Sequence, residues 1–520
     1  MFAKSRMLRH LHRTVKVFDT TSMLFVCLLC ACQGDAGGAR MGLVYYETYD
    51  PRSLDPALST DVPTGEMVTL MFDGLTQFDP DGRLLPGLAD RWRAERSGQR
   101  YVFHLRPGVK FHDGRPVVAA DVKRSFLRVL DPATRGGRVW PLQPIAADGI
   151  EVLGDSAVAF TLTEPLAVFP KFLAMPVASV VPVPVAADFG QRPVGTGPWR
   201  FVAWRHDDEL QFARNPDYWG SAPLAESLTV RIIPEPFTRG AEFLAGRLSV
   251  AEIPFGETAK WEREHPAWLQ RKPALRAIYV ALNNRRGPLR DPRVRRAMNH
   301  AVNVPEILQT VWNGRGIRAR GAIPPSLGGG DTTRTVYDYD TATARRLLAQ
   351  AGFANGFAIQ LWRSGTNVEQ GRVAQAIQAQ LAAVGIRVEV VARDASSMRE
   401  AARKGEADMA MLDWWADYPD GDNFLYPLFN SASFGPGGNY SFYSDPVTDS
   451  LILVARRTTD DAAREALYHR IDGRVYDAAP WLYLWFPVDL WAEHPSITGW
   501  EIPVIFNGQR WTTARHVSPQ

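Results

Sequence analysis

The residues best suited to chemistry gather in Met409–Phe424, which reads MAMLDWWADYPDGDNF. Met409–Leu412 is a short apolar run that follows a helix-prone segment, Ser396–Lys404, and a Gly405 stop, so it predicts a buried strand. Beyond it stand Asp413, Trp414 and Trp415, then Asp417, then the turn-forming Pro419-Asp420-Gly421-Asp422. An acid just past the carboxyl end of a buried strand lies where open α/β sheets hold ligands. Upstream, Arg363 ends another strand-like run, Ala358–Trp362. One cation and one anion at the same edge of a sheet would suit a zwitterionic ligand. A plainer reading remains: a loop aspartate capping a turn, and two tryptophans filling core.

Other chemistry finds little support. There is no Gly-x-Ser-x-Gly elbow, no His-Glu-x-x-His, and no cysteine nucleophile beyond residue 32. His112-Asp113 and His206-Asp207-Asp208 are possible metal ligands, but both sit in polar, turn-like settings without a second histidine cluster. They read as surface. Gly195-Thr196-Gly197-Pro198 is a tight turn rather than a nucleotide loop, because no lysine follows in the phosphate-loop pattern. Binding is expected, not catalysis, with no metal and no cofactor.

The elements around Asp417 repeat. Ala358–Trp362 is strand-like, and Gly371–Val384 is helical with Val373, Ile377 and Leu381 on one face. Gly385 stops that helix and Ile386–Val391 forms the next strand. Strand, helix, strand, helix, strand implies an α/β fold with a parallel sheet whose loops gather at one edge. Elsewhere a strand is expected near Met41–Thr48, a helix at Glu66–Leu75, and a strand alternating with period two at Tyr101–Arg106. Asp291 suits a helix N-cap with Pro292 at the first turn, ahead of an apolar stripe of Val294, Ala297, Met298 and Ala301. The aromatic run Trp481–Phe486 is far too short to span a membrane and suits a core or a cavity wall.

At 520 residues the chain is too long for one core, and about three domains are expected. The formal charge of +3 arises at the start, where Lys4, Arg6, Arg9, Arg13 and Lys16 stand against Asp19. Without the first 31 residues, 54 Lys and Arg face 55 Asp and Glu, so nucleic-acid binding loses its electrostatic basis. All three cysteines, Cys27, Cys30 and Cys32, lie in or beside the apolar run Met23–Ala31. A basic start, a short apolar core and small residues describe a signal peptide over residues 1–31. Leu29-Cys30-Ala31-Cys32 resembles a bacterial lipobox, which would place lipid on Cys32; an ordinary cut after Ala31 is the alternative. Gln33–Arg40 has the composition of a flexible tether, giving a tether at 32–40.

Eight motifs in order then carry a resemblance. They are Leu54-Asp55-Pro56, GLADRW from Gly87, YVFHLRPGVKFHDG from Tyr101, AADVKRSF from Ala119, GTGPW from Gly195, RNPDYW from Arg214, DPRVRRA from Asp291, and Trp414–Phe424. Together they resemble the extracytoplasmic peptide-binding proteins of ABC transporters, the oligopeptide and dipeptide group (family 5). The last motif is similar to the family's W-x-x-D-Y-x-D-P-D-N-F, departing at Gly421 where proline is usual.

The resemblance implies a periplasmic-binding-protein type II fold, α/β, with two hinged lobes and an additional inserted domain. Lobe I is expected at 41–77, 190–274 and 485–520, the additional domain at 78–189, and lobe II at 275–484. It implies that Asp417 pairs with a peptide's α-ammonium and that the backbone of Asp413, Trp414 and Trp415 adds the peptide as an extra strand. Val62, Thr64 and Glu66, in DVPTGEM, are placed across the cleft. Arg363 is offered as carboxylate partner, although WRSGTN matches the dipeptide-binding motif poorly. The expected protein is a monomeric, extracytoplasmic lipoprotein that hands peptides to a membrane permease. A non-peptide solute (sugar, opine or metal chelate) and a sensory role are the alternatives. A secreted hydrolase would need a convergent nucleophile or carboxylate pair in the cleft.

Overall fold

The computed structural model describes residues 42–517; Cys32, the lipobox and the tether lie outside them. Three main sheets organise the chain. The first runs Gly42–Glu47, Ser227–Ile232, Glu209–Arg214, Trp199–Arg205, with only its first pair parallel. Leu43, Leu210, Phe212, Leu228 and Val230 pack there with Met67, Val68 and Met71 of the helix Val62–Met71. That helix begins four residues earlier than the apolar pattern predicts. Asp61 caps the Thr64 N–H and Pro63 sits in the first turn, so the start is set by capping chemistry rather than hydrophobicity.

The second sheet is antiparallel, in the order Ala89–Glu95, Arg100–Leu105, Ala157–Leu162, Ile145–Val152, with the helix Ala119–Leu130 in the same core. Tyr101, Val102 and Phe103 are all buried, against the alternation expected there, because both faces of this strand are covered. Between the two sheets the Gly195–Pro198 turn presses on Met71. A Cβ on Gly195 would stand 2.0 Å from the Met71 carbonyl oxygen, so only glycine fits. His112, expected on the surface, clasps this turn: its ring lies 3.0 Å from the Gly197 carbonyl oxygen.

The third sheet holds the βαβ repeat. Its order is Val250–Glu252, Trp481–Glu493, Arg276–Leu282, Met409–Trp415, Phe357–Ser364, Ile386–Arg393. The last three strands are parallel, linked by the helices Val368–Ala382 and Ala395–Lys404. Two expected strand ends move. Met409–Trp415 runs on through both tryptophans, because Arg276, Ala277 and Ile278 pair with Trp415, Trp414 and Asp413. Phe357–Ser364 likewise carries Arg363 inside the strand, paired with Ala392, instead of at its end. Asp417 does stand just past its strand.

The aromatic run Trp481–Phe486 opens a 13-residue strand that ties the chain together. Its first part pairs with Arg276–Leu282, and its second part pairs with Leu269–Pro273 and Val250–Glu252. The rings at its start are buried, as cross-strand stacking of Tyr279 on Trp481 illustrates.

Candidate ligand-binding site

A cavity of about 570 Å³ lies where the end of Gly42–Glu47, the start of Val62–Met71 and the second half of Trp481–Glu493 converge with the segment Trp500–Trp511. Five rings form one wall. Tyr45 stands 5.1 Å from Trp511 and 6.3 Å from Trp491; Tyr46 is 5.9 Å from Trp491, and Trp500 is 5.4 Å from Trp491. These are ordinary packing distances for aromatic pairs. Val62, Glu66, Arg138 and Trp415 also face the cavity.

Asp417 reaches this space through Arg138, whose Nη1 donates to Asp417 Oδ1 at 2.8 Å. The Asp417 backbone N–H is held by Asn423 Oδ1 at 3.1 Å. Burial raises the Asp417 carboxyl above its ordinary range, and the Arg138 guanidinium partly offsets this. The cavity lining is also acidic. Burial pushes Glu66 up to about 7, and burial with the nearby Glu252 does the same to Asp489. Glu47 is raised by burial and by the Glu66 charge.

The strand before Asp417 has an unusual edge. Met409–Trp415 pairs along its whole length with Arg276–Leu282, but Phe357–Ser364 pairs only with Met409 and Ala410. Among the described residues, Leu412–Trp415 therefore has no strand partner on that side. Free N–H and C=O groups along a strand edge can receive another strand.

The residues expected from sequence divide into two groups. Val62, Glu66 and Trp415 line the cavity, and Asp417 adjoins it through Arg138. Trp415 is 55% exposed, with the Arg276 guanidinium 4.4 Å above its ring. The others are engaged elsewhere. Asp413 pairs with Arg276 at 2.8 Å and accepts from Trp415 Nε1. Trp414 donates to Asn423 Oδ1 at 3.1 Å. Thr64 is fully buried, its hydroxyl accepting the Arg52 N–H. Arg363 donates to the Ser364 carbonyl, packs over Gly371 and is absent from the cavity wall, so the structure does not bring it together with Asp417.

Comparison with known proteins settles the family. The model of the bacterial extracellular solute-binding proteins, family 5, matches residues 83–436. The chain belongs to this family. The glutathione-binding protein GsiB of Pectobacterium atrosepticum is 33% identical over 462 residues, covering 86% of this chain and 89% of the relative. Di/tripeptide-binding protein 2 of Pseudomonas aeruginosa is 32% identical over 482 residues, covering 87% and 91%. The periplasmic binding protein DppA of Helicobacter pylori, solved with the peptide STSA, superposes with a TM-score of 0.76 at 30% identity, covering 91% and 98%. The fold is thus the periplasmic-binding type, with two lobes and an additional domain.

For a family 5 protein, sequence reasoning missed Arg138, Glu47, Asp489 and the rings Trp491, Trp500 and Trp511. A pattern signal existed for one of them: Tyr-Tyr-Glu ends a strand that opens the fold, the position where Glu47 projects from a sheet edge. Arg138 had none, since it lies in a polar loop 279 residues from its partner. Among the described residues no three His, Cys, Asp or Glu side chains group to hold a metal, and no helix is long and apolar enough to cross a membrane.

Proposed function

We propose that this family 5 protein captures di- or oligopeptides between two lobes and delivers them to an ABC importer in the membrane. One observation carries the peptide reading: the edge of Leu412–Trp415, without a strand partner among the described residues, leads directly to an aspartate that adjoins the cavity through Arg138. A peptide laid on that edge gains main-chain hydrogen bonds that do not read its side chains, while Asp417 takes its α-ammonium. The peptide- and glutathione-binding names of the relatives agree with it. Arg138 holds Asp417 and shares or yields the carboxylate when an ammonium arrives.

The lobes proposed are 41–77 with 190–274 and 485–520, and 275–484, with 78–189 inserted. The first two sheets fall within the first lobe and the inserted segment, and in the third sheet the long strand Trp481–Glu493 joins strands of both proposed lobes. Lipidation of Cys32 would keep the receptor at the membrane, and Cys32→Ser should release it from the membrane fraction.

The deciding experiment is a calorimetric cycle. A charge-assisted bond in a desolvated cleft is strong, and leaving one partner unpaired costs about 2–5 kcal/mol. Asp417→Asn should therefore weaken binding of a free-amine tripeptide by roughly thirty-fold to several thousand-fold. N-acetylating the peptide should damage wild-type binding similarly but add little to the variant. Additive losses would show that Asp417 does not hold the amine. Lost thermal stability with intact affinity would make it a turn residue.

A further inference from the structure

The cavity carries more acidic side chains than recognition of an α-ammonium uses. Glu47, Glu66, Glu252 and Asp489 all line it, and Arg138, its single basic lining residue among those described, is already engaged by Asp417. Glu47 is the most telling of these. Its side chain is buried at 6% exposure, and no donor reaches its Oε1 among the described residues. The Glu66 carboxyl lies close enough to share a proton with it. The Tyr45 hydroxyl donates weakly to Glu66 Oε2, at 3.4 Å.

Two carboxyls buried against one another without a counter-charge are costly; burial raises both, and the Glu66 charge raises Glu47 further. The rings of Tyr45, Trp491 and Trp511 line the same cavity, and an aromatic ring face attracts a desolvated cation. Arg315 lies 4.0 Å from Glu252, and Arg276 and Arg315 act on Asp489, but among the described residues no Lys, Arg or His pairs with Glu47 or Glu66, so the missing partner of these two is positive. A volume of about 570 Å³ is within the range of a ligand pocket and leaves space for it.

We propose that this end of the cavity is a subsite for a cationic side chain of the bound peptide, an ammonium or guanidinium held by Glu47 and Glu66 against the aromatic wall. The assignment rests on the peptide reading and narrows it: the preferred ligands are basic peptides. A second positive group, distinct from the α-amine at Asp417, is what separates them from neutral peptides of the same length.

Titration calorimetry at pH 7.5 tests this with alanine tripeptides carrying lysine, norleucine or glutamine at position two or three. Norleucine keeps the length without charge, and glutamine keeps hydrogen-bond donors without charge. At one of the positions, lysine should bind about tenfold or more tightly than either. In Glu47→Gln the lysine-to-norleucine ratio should collapse towards one, and Glu66→Gln provides the same readout should the first variant not fold. If neutral peptides bind and lysine confers no advantage at either position, the cationic subsite is wrong while the peptide reading stands. A lysine preference that survives both substitutions also overturns it. If no tripeptide binds but cadaverine does, the peptide reading fails, and the side-chain assignment falls with it.

Discussion

Glu66 should give the cavity a measurable pH signature. Its carboxyl is raised from 4.5 to about 7, mainly by burial, with Glu47 and Tyr45 as its close titratable neighbours. The folded state then holds a proton that the unfolded chain gives up at lower pH. Stability from this group is complete below about pH 4.5 and drains away as the pH rises to about 7. Glu66→Gln cannot titrate, so its Tm relative to wild type should climb between pH 5 and pH 8, by about 2 °C. Scanning calorimetry of both proteins without peptide checks the sign. A difference that stays flat with pH would mean that Glu66 is solvated and ionised throughout.

At the scale of the element, the edge of Leu412–Trp415 makes a prediction about the ligand's backbone. Strand groups point alternately towards and away from a neighbour, so only every second peptide N–H can bond to this edge. N-methylating one amide at a time along a tetrapeptide should weaken binding at alternate positions, by about 0.5–1.5 kcal/mol for each lost bond. Equal tolerance at every position would argue against strand addition. The same element shows what local pattern reveals. The apolar run Met409–Leu412 marks the strand, but its extension through Trp415 depends on Arg276–Leu282 alongside, a partner more than a hundred residues away. Arg363 is a parallel case, drawn into its strand by pairing with Ile386–Arg393.

Across the whole molecule, the loop after Asp417 is gripped by the segment 78–189. Lys171 Nζ donates to the Pro419 carbonyl at 2.8 Å and to Asp420 at 2.6 Å. Tyr418 packs into that segment's core, 4.9 Å from Phe172 and 6.1 Å from Trp140. With Arg138 on Asp417, these contacts tie the loop to that segment. Lobe closure is a population set by differential contacts, so weakening them favours an open form. Lys171→Met leaves Asp420 with only Arg464, at 3.9 Å, among the described charges near it. Small-angle scattering of this variant should show a larger radius of gyration than wild type without ligand, and a saturating peptide should restore compactness. An unchanged radius in both states would rule out these contacts as a closing device.

Much about this protein was determined by sequence alone, because the signals are local. The cap and proline of Asp291-Pro292, the helix stops at Gly385 and Gly405, and the strand-helix-strand rhythm around Asp417 each depend on neighbouring residues. So does the ordered set of motifs that resembles the family, since each is a short local turn, cap, strand or helix with its own chemistry. The acidic, aromatic cavity could not be read this way. Its wall is assembled from Tyr45, Glu66, Arg138, Asp489 and Trp511, which sit far apart in the chain and in segments of different pattern. Only the folding of the first strand, the long strand Trp481–Glu493 and the C-terminal segment onto one another buries Glu47 beside Glu66. A carboxyl's solvation and charge partners are properties of the space around it, so tertiary structure alone decided that Glu47 and Glu66 would lack a basic partner among the described residues.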